Sequence, residues 1–182
     1  MNFTHSPLKG IVLVLLFFVA LGSVNAQSKK KVKELKVESL TAKAEFLEAD
    51  WQMEKHFSEA YGYVIFPNVG KGGLGVGGAA GNGVVYEGGV EVGMAKLSQI
   101  TIGFQAGGQA YKEIIFFQNK EAMERFKGNN FEVAAQVSAV AATAGASADA
   151  KYQEGVMIYT RQKGGLMYEA SVGGQKLKFN PF

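Results

Sequence analysis

Cysteine is absent from this 182-residue chain, which excludes disulfides, thiol nucleophiles and zinc–thiolate sites. Histidine is nearly absent: His5 lies in an N-terminal apolar leader, which leaves His56. A single histidine without cysteine builds neither a histidine metal cluster nor a cysteine–histidine nucleophile pair. Aspartate is scarce as well, with Asp50 and Asp149 far apart in the sequence. Glu87 and Glu91 flank a turn and read as exposed strand residues. General acid–base chemistry needs two tuned groups in one cleft, and nothing local supplies them. No catalytic residue, metal site or cofactor is expected, and the chain reads as non-enzymatic. A hydrolase requires Glu87, Glu91 or Asp149 to converge with His56. A strong excess of either charge is also missing: the net charge of +3 is too mild to imply nucleic acid.

The leader has the grammar of a signal peptide. Lys9 is its positive end, Ile11 to Leu21 its apolar run, and Val24-Asn25-Ala26 its small-residue cleavage site. The run is short of the roughly 20 residues that cross a bilayer, although an uncleaved anchor is the alternative. Residues 1–26 are thus expected to be removed and the protein exported, periplasmic or secreted. What remains is one domain, large enough to bury roughly 70% of its unfolded surface.

The segment 27–38 is a basic lead-in, and a helix is predicted from about Ser39 to Tyr61. Leu40, Ala44, Leu47 and Trp51 recur at helical spacing, and Phe46, Met53 and Phe57 widen the stripe. That face either packs on the core or lies on a membrane. From Gly62 the composition changes, and fifteen of the 24 glycines lie between Gly62 and Gly108. Tyr63 to Phe66 reads as a buried strand ended by Pro67-Asn68. Gly88-Gly89 reads as a hairpin turn. Ile100, Ile102 and Phe104 alternate with Thr101, Gly103 and Gln105, as a strand with one wet face does. Asn119 to Gly128 carries helix start and stop signals, with Ala122, Met123 and Phe126 toward the core. Phe131 to Val137 and the small-residue stretch 139–150 suggest further strands. Gly155–Thr160, Leu166–Val172 and Lys176–Phe179 close the sheet, with Gly164-Gly165 and Gly173-Gly174 as turns. The expected class is α+β: a compact, curled antiparallel sheet or barrel of about 8–10 short strands, an N-terminal amphipathic helix and one short internal helix.

Two glycine motifs are accidents of composition. Gly73, Gly75 and Gly78 fit G-x-G-x-x-G, but no helix follows to receive a pyrophosphate. Gly70-Lys71 lacks the Ser or Thr of a Walker loop. An outer-membrane barrel is the other architecture to weigh, yet Pro181 and the phase of Leu177 and Phe179 against Phe182 do not suit its last strand.

Several blocks together resemble the SYLF lipid-binding family: Tyr61-Gly62-Tyr63-Val64-Ile65-Phe66-Pro67-Asn68-Val69-Gly70-Lys71, then Gly77 to Val84, Gly103 to Gln109, Ile114 to Phe131, and Lys163 to Val172. The resemblance covers roughly Glu38 to Lys178, so residues 39–182 are expected to form one SYLF-like domain. It implies binding of phosphoinositides or other anionic lipids, through a basic amphipathic N-terminal helix in eukaryotic members, some of which link membranes to actin. An exported protein meets no actin and few phosphoinositides, so general anionic phospholipid is the partner that remains.

Candidate headgroup residues are Lys29, Lys30, Lys31, Lys33 and Lys36 in the lead-in, with Lys71, Arg161 and Lys163 beside glycine turns whose bare amides suit phosphate. Leu40, Leu47, Trp51 and Phe57 are the candidate apolar helix face. Each lysine contributes up to about 1 kcal/mol near an anionic surface, decaying over about 8 Å at physiological salt. Glu45, Glu48, Asp50, Glu54 and Glu59 oppose that attraction. The competing function is a structural or protein-binding module with a partner in the cell envelope.

Overall fold

A computed structural model describes residues 29–129, 131–133, 140–141, 150–172 and 174–182. Their order is helix α1 (29–49), helix α2 (Met53–Glu59), strands β1 (Gly62–Glu87) and β2 (Val90–Phe117), helix α3 (Lys120–Lys127), then β3 (Phe131–Val133), β4 (Val140–Ala141), β5 (Val156–Val172) and β6 (Gln175–Pro181). The class is α+β with a curled sheet, as the composition predicts. The sheet is not closed. Its order is β3-β6-β2-β5-β4, with β1 on β2, and every pairing is antiparallel except the short β4–β5 contact. Expectations for residues 134–139 and 142–149, and for the leader, lie outside the described residues.

Among the described residues there are six strands, two of them long, because glycines taken as breaks in the sequence are absorbed as bends and bulges. β1 runs 26 residues and β2 runs 28, joined by Gly88 and Gly89 at φ +57° and +80°. Pro67 does not end a strand; it falls in a register shift between Phe66 and Val69, where no ladder N–H is required of it. Gly164 and Gly165 are not a turn but stand opposite Ala110 and Gln109, next to another register shift.

A ribbon of this length, about 85 Å if straight, must fold back to fit a domain of this size. Close approaches mark where it does. A Cβ added at Gly83 would meet the Ile65 carbonyl oxygen at 2.6 Å, and one at Gly81 the Asn68 carbonyl oxygen at 2.8 Å. The end of β1 therefore lies against its own beginning, backbone to backbone.

The curl creates two cores, one on each side of the sheet. The inner core gathers Val64, Phe66, Val85, Leu97, Ile115, Phe117 and Leu177 with Met123 and Phe126 of α3. The outer core sets Ala42, Phe46 and Met53 of the N-terminal helices on Tyr63, Ile65, Ile114, Phe116 and Tyr159. Asn119 caps α3 by accepting from the Ala122 N–H at 3.0 Å, as its sequence signature predicts.

The N-terminal helix differs from the expected 39–61. It begins within the basic lead-in and breaks at 50–52, where the buried Asp50 carboxylate accepts from the Gln52 N–H at 3.1 Å. An Asp that bonds local backbone competes with helix continuation. Among the described residues no helix is long and apolar enough to cross a membrane.

Candidate functional site

The inner face of α1 fixes its position. Ser39, Ala42 and Phe46 are buried, and the Ser39 hydroxyl donates to the Ile65 carbonyl at 3.5 Å. One flank is held by charge. Lys112 of β2 pairs with Glu45, and the Arg161 guanidinium donates to the Glu45 carbonyl oxygen. Lys163 donates to Asn68 Oδ1, and Asn68 Nδ2 in turn donates to Glu38 Oε2 at 3.0 Å. Burial, with Lys163 and Arg161 nearby, lowers the pKa of Lys112. Arg161 and Lys163 are thus brought together, but against the acidic flank of α1.

Lys71 is placed elsewhere. It lies two residues past the buried Val69 and so on the same, inner side of β1, where its charge acts on Glu113. The glycines that were expected to offer bare amides beside Lys163 are in the ladder instead. Glu113 is fully buried, and burial raises its carboxyl from 4.5 to about 7, although a hydrogen bond from Gln175 and the charge of Lys71 oppose the shift. The Gln175 Nε2 to Glu113 Oε2 distance is 3.0 Å.

The lead-in lysines also divide. Lys36 pairs with Glu91 at 2.7 Å and sits 4.0 Å over the Phe182 ring. Lys29, Lys30, Lys31 and Lys33 are exposed, with Lys30 loosely paired to Glu34 at 3.8 Å. The candidate apolar face splits in the same way. Leu47 and Phe57 pack against the outer core, while Leu40 is 54% exposed and Trp51 76%. Exposed positions of α1 form one stripe, which Leu47 at the far end of the helix leaves for the core. Lys33, Val37, Leu40 and Ala44 recur at i, i+4, i+7 and i+11 and share one face, and all four are exposed. Trp51 stands in the turn that follows. Glu34, Glu38 and Glu45 lie off this stripe with the partners already named, and Glu48 borders it. The helix therefore has two apolar faces, one on the sheet and one on solvent.

The residues of a hydrolytic site do not converge. His56 lies against the rings of Phe116 and Tyr159, at centroid distances of 6.0 and 5.7 Å. Glu87 is paired with Lys127; that hydrogen bond and one from Tyr61 hold its carboxyl below the usual range, against the effect of burial. Glu91 is engaged by Lys36, and Asp149 lies outside the described residues.

Two surfaces were missed in the sequence. Leu74, Val76, Ile100 and Ile102 are exposed on the middle of the β1–β2 ribbon, reversing the expected phase, because Thr101 is the buried residue there. Lys96, Lys176 and Lys178 line a cavity of about 710 Å³ with Ser98, Asn129 and Phe131. The available signal was the lack of charge between Gly72 and Tyr86 and between Leu97 and Tyr111. Only the strand register puts Lys96 opposite Lys178.

The described residues form an open curled sheet with the N-terminal helices packed on one face. The comparison with known families supports a lipid- or protein-binding module. Residues 98–181 match the family described as "Ysc84: Las17-binding protein actin regulator", so the SYLF assignment read from the sequence stands over that segment. SYLF is not a known enzyme family. The chain is also similar to beta cell expansion factor A of Aeromonas veronii, at 33% identity over 70 residues, 38% of this chain and 27% of that protein. This chain thus matches about a quarter of that relative's length.

Proposed function

We propose that this chain is an exported, non-enzymatic module that contacts anionic phospholipid at a membrane surface through α1. One observation carries the reading: the solvent-facing stripe of α1 is basic at its start and apolar further on. Val37 is 57% exposed, and together with Leu40 and Trp51 it projects away from the core. An amphipathic helix of this kind lies in the interface plane, its apolar side chains in the headgroup–acyl boundary and its lysines at phosphate. Of the acidic residues that oppose the attraction, Glu45 is drawn aside by Lys112 and Asp50 is buried, while Glu48, Glu54 and Glu59 remain exposed.

Trp51 is the only tryptophan in the chain and reports contact directly. Mixed with vesicles of phosphatidylcholine and phosphatidylglycerol, the mature protein is expected to co-float and its emission to shift to the blue. Both effects should weaken as salt rises and vanish with phosphatidylcholine alone. Replacing Leu40 and Trp51 by serine should lower partitioning about tenfold or more. A chain that stays wholly in the lipid-free fractions at low ionic strength returns the assignment to a protein-binding module of the envelope.

A further inference from the structure

The polarity of the β1–β2 ribbon is inverted in its middle. Leu74, Val76, Ile100 and Ile102 are 84%, 62%, 72% and 69% exposed. Val76 stands opposite Ile102, and Gly78 opposite Ile100, so Val76, Ile100 and Ile102 share one face. The reverse side is polar at this level. Thr101 is buried there, and Gln175, opposite Gln99 in the ladder, reaches the buried Glu113 carboxyl. Strands in water present polar residues outward; apolar-out with polar-in suits a hydrocarbon boundary.

The same outward row of β2 continues through Ser98 to Lys96, both exposed. Across the ladder Lys176 faces Ser98 and Lys178 faces Lys96. Like charges directly opposite one another are destabilising, and among the described residues none of these three lysines forms an ion pair. Glu132 of β3 stands opposite Lys176. Lys96 also borders a second cavity, of about 450 Å³, that includes Lys31 of α1. Lys96 lies about 13 Å along the strand from Ile100. A headgroup layer of about 5–7 Å and a lysine stem that snorkels span that separation.

We infer that this outer face of the ribbon is a second membrane-contacting element, in which Leu74, Val76, Ile100 and Ile102 enter the acyl boundary of an anionic bilayer while Lys96, Lys176 and Lys178 hold headgroup phosphates. The inference rests on the lipid reading above but on a surface other than the α1 stripe. A protein partner fits the composition less well. Protein interfaces concentrate aromatic residues and arginine and are poor in lysine, whereas the exposed large apolar residues here are all aliphatic and the cations beside them are all lysine.

The test uses the full mature chain with Trp51 replaced by Phe and Ile100→Trp as the single reporter. Vesicles of phosphatidylcholine and phosphatidylglycerol carrying brominated acyl chains should quench its emission. In the unlabelled chain, Val76→Asp with Ile100→Asp should lower flotation about tenfold or more, and K96Q/K176Q/K178Q about fivefold per charge removed. Thermal melting checks that the variants fold. Wild-type chain that does not float removes the lipid reading and this element with it. Wild-type chain that floats, with an unquenched indole in the Ile100→Trp reporter and unchanged flotation of the aspartate variant, overturns the second element alone. A dimer in the absence of lipid that Ile100→Asp abolishes, again without quenching, gives the face to a second copy of the chain and also overturns it.

Discussion

The two ends of the β1–β2 ribbon and its middle are made of the same two strands in the same pairing, yet their side chains meet different surroundings. Near the start of β1, Tyr63, Val64, Ile65 and Phe66 are all buried, as are Ile114 to Phe117 across the ladder. α1 and α2 cover one face, and α3 with Leu97 and Leu177 covers the other. In the middle neither cover reaches the outer face, and Val76, Ile100 and Ile102 are left outside. Apolar sequence alone does not bury a strand; a second layer must lie over it.

Truncation should separate the regions most sharply. Phe116→Ala removes a ring packed among Phe57, Tyr63 and Tyr159 and should cost about 3–5 kcal/mol in denaturant unfolding. Ile100→Ala should stay within about 0.5 kcal/mol. Equal losses at the two sites would mean that the middle of the ribbon is covered in solution.

A buried carboxyl distinguishes the interior in another way. The folded state holds Glu113 protonated up to about pH 7, against an ordinary value of 4.5. A raised carboxyl pKa means that the folded state binds the extra proton. Its contribution to stability is therefore full below 4.5, is lost as pH rises toward 7, and stays lost above. Glu113→Gln should remove this pH dependence and stabilise the chain above pH 7 by on the order of 3 kcal/mol. Melts at pH 5 and pH 8 check it: the wild type should lose stability between them, and the glutamine variant should lose much less.

The smallest contrast uses one substitution at two glycines. Gly83→Ala forces a Cβ against the Ile65 carbonyl at 2.6 Å, whereas at Gly72 the nearest atom is the Gly107 oxygen at 3.5 Å. The first should cost about 1–3 kcal/mol and the second little. A tolerant Gly83 would show that the curl is looser than the backbone contacts imply.

Local chemistry was legible in the sequence. Asn119, Glu121, Arg125 and Gly128 mark both ends of α3, and Gly88-Gly89 marks the hairpin, because caps and turns are decided by a few adjacent residues. The long strands were not legible, since a glycine or proline inside a bulge looks the same as one in a turn. The α1 stripe was half legible. Leu40, Ala44, Leu47 and Trp51 share a spacing that Phe57 widens, but the break at 50–52 and the docking of Ser39, Ala42 and Phe46 left Leu40 and Trp51 outward. Of the candidate headgroup residues, Arg161 and Lys163 meet at α1 and Lys71 does not, a division that depends on which side of its strand each one falls.

By itself the sequence determined the periodicities: which residues of α1 share a face, which of β2 alternate, where a helix stops and where a hairpin turns. The tertiary structure alone decided which of those faces are covered. Alternation relates a residue to its neighbours two or four positions away. Covering Ile114 while leaving Ile100 bare depends on a helix tens of residues upstream and on a ribbon curling until Gly83 touches Ile65.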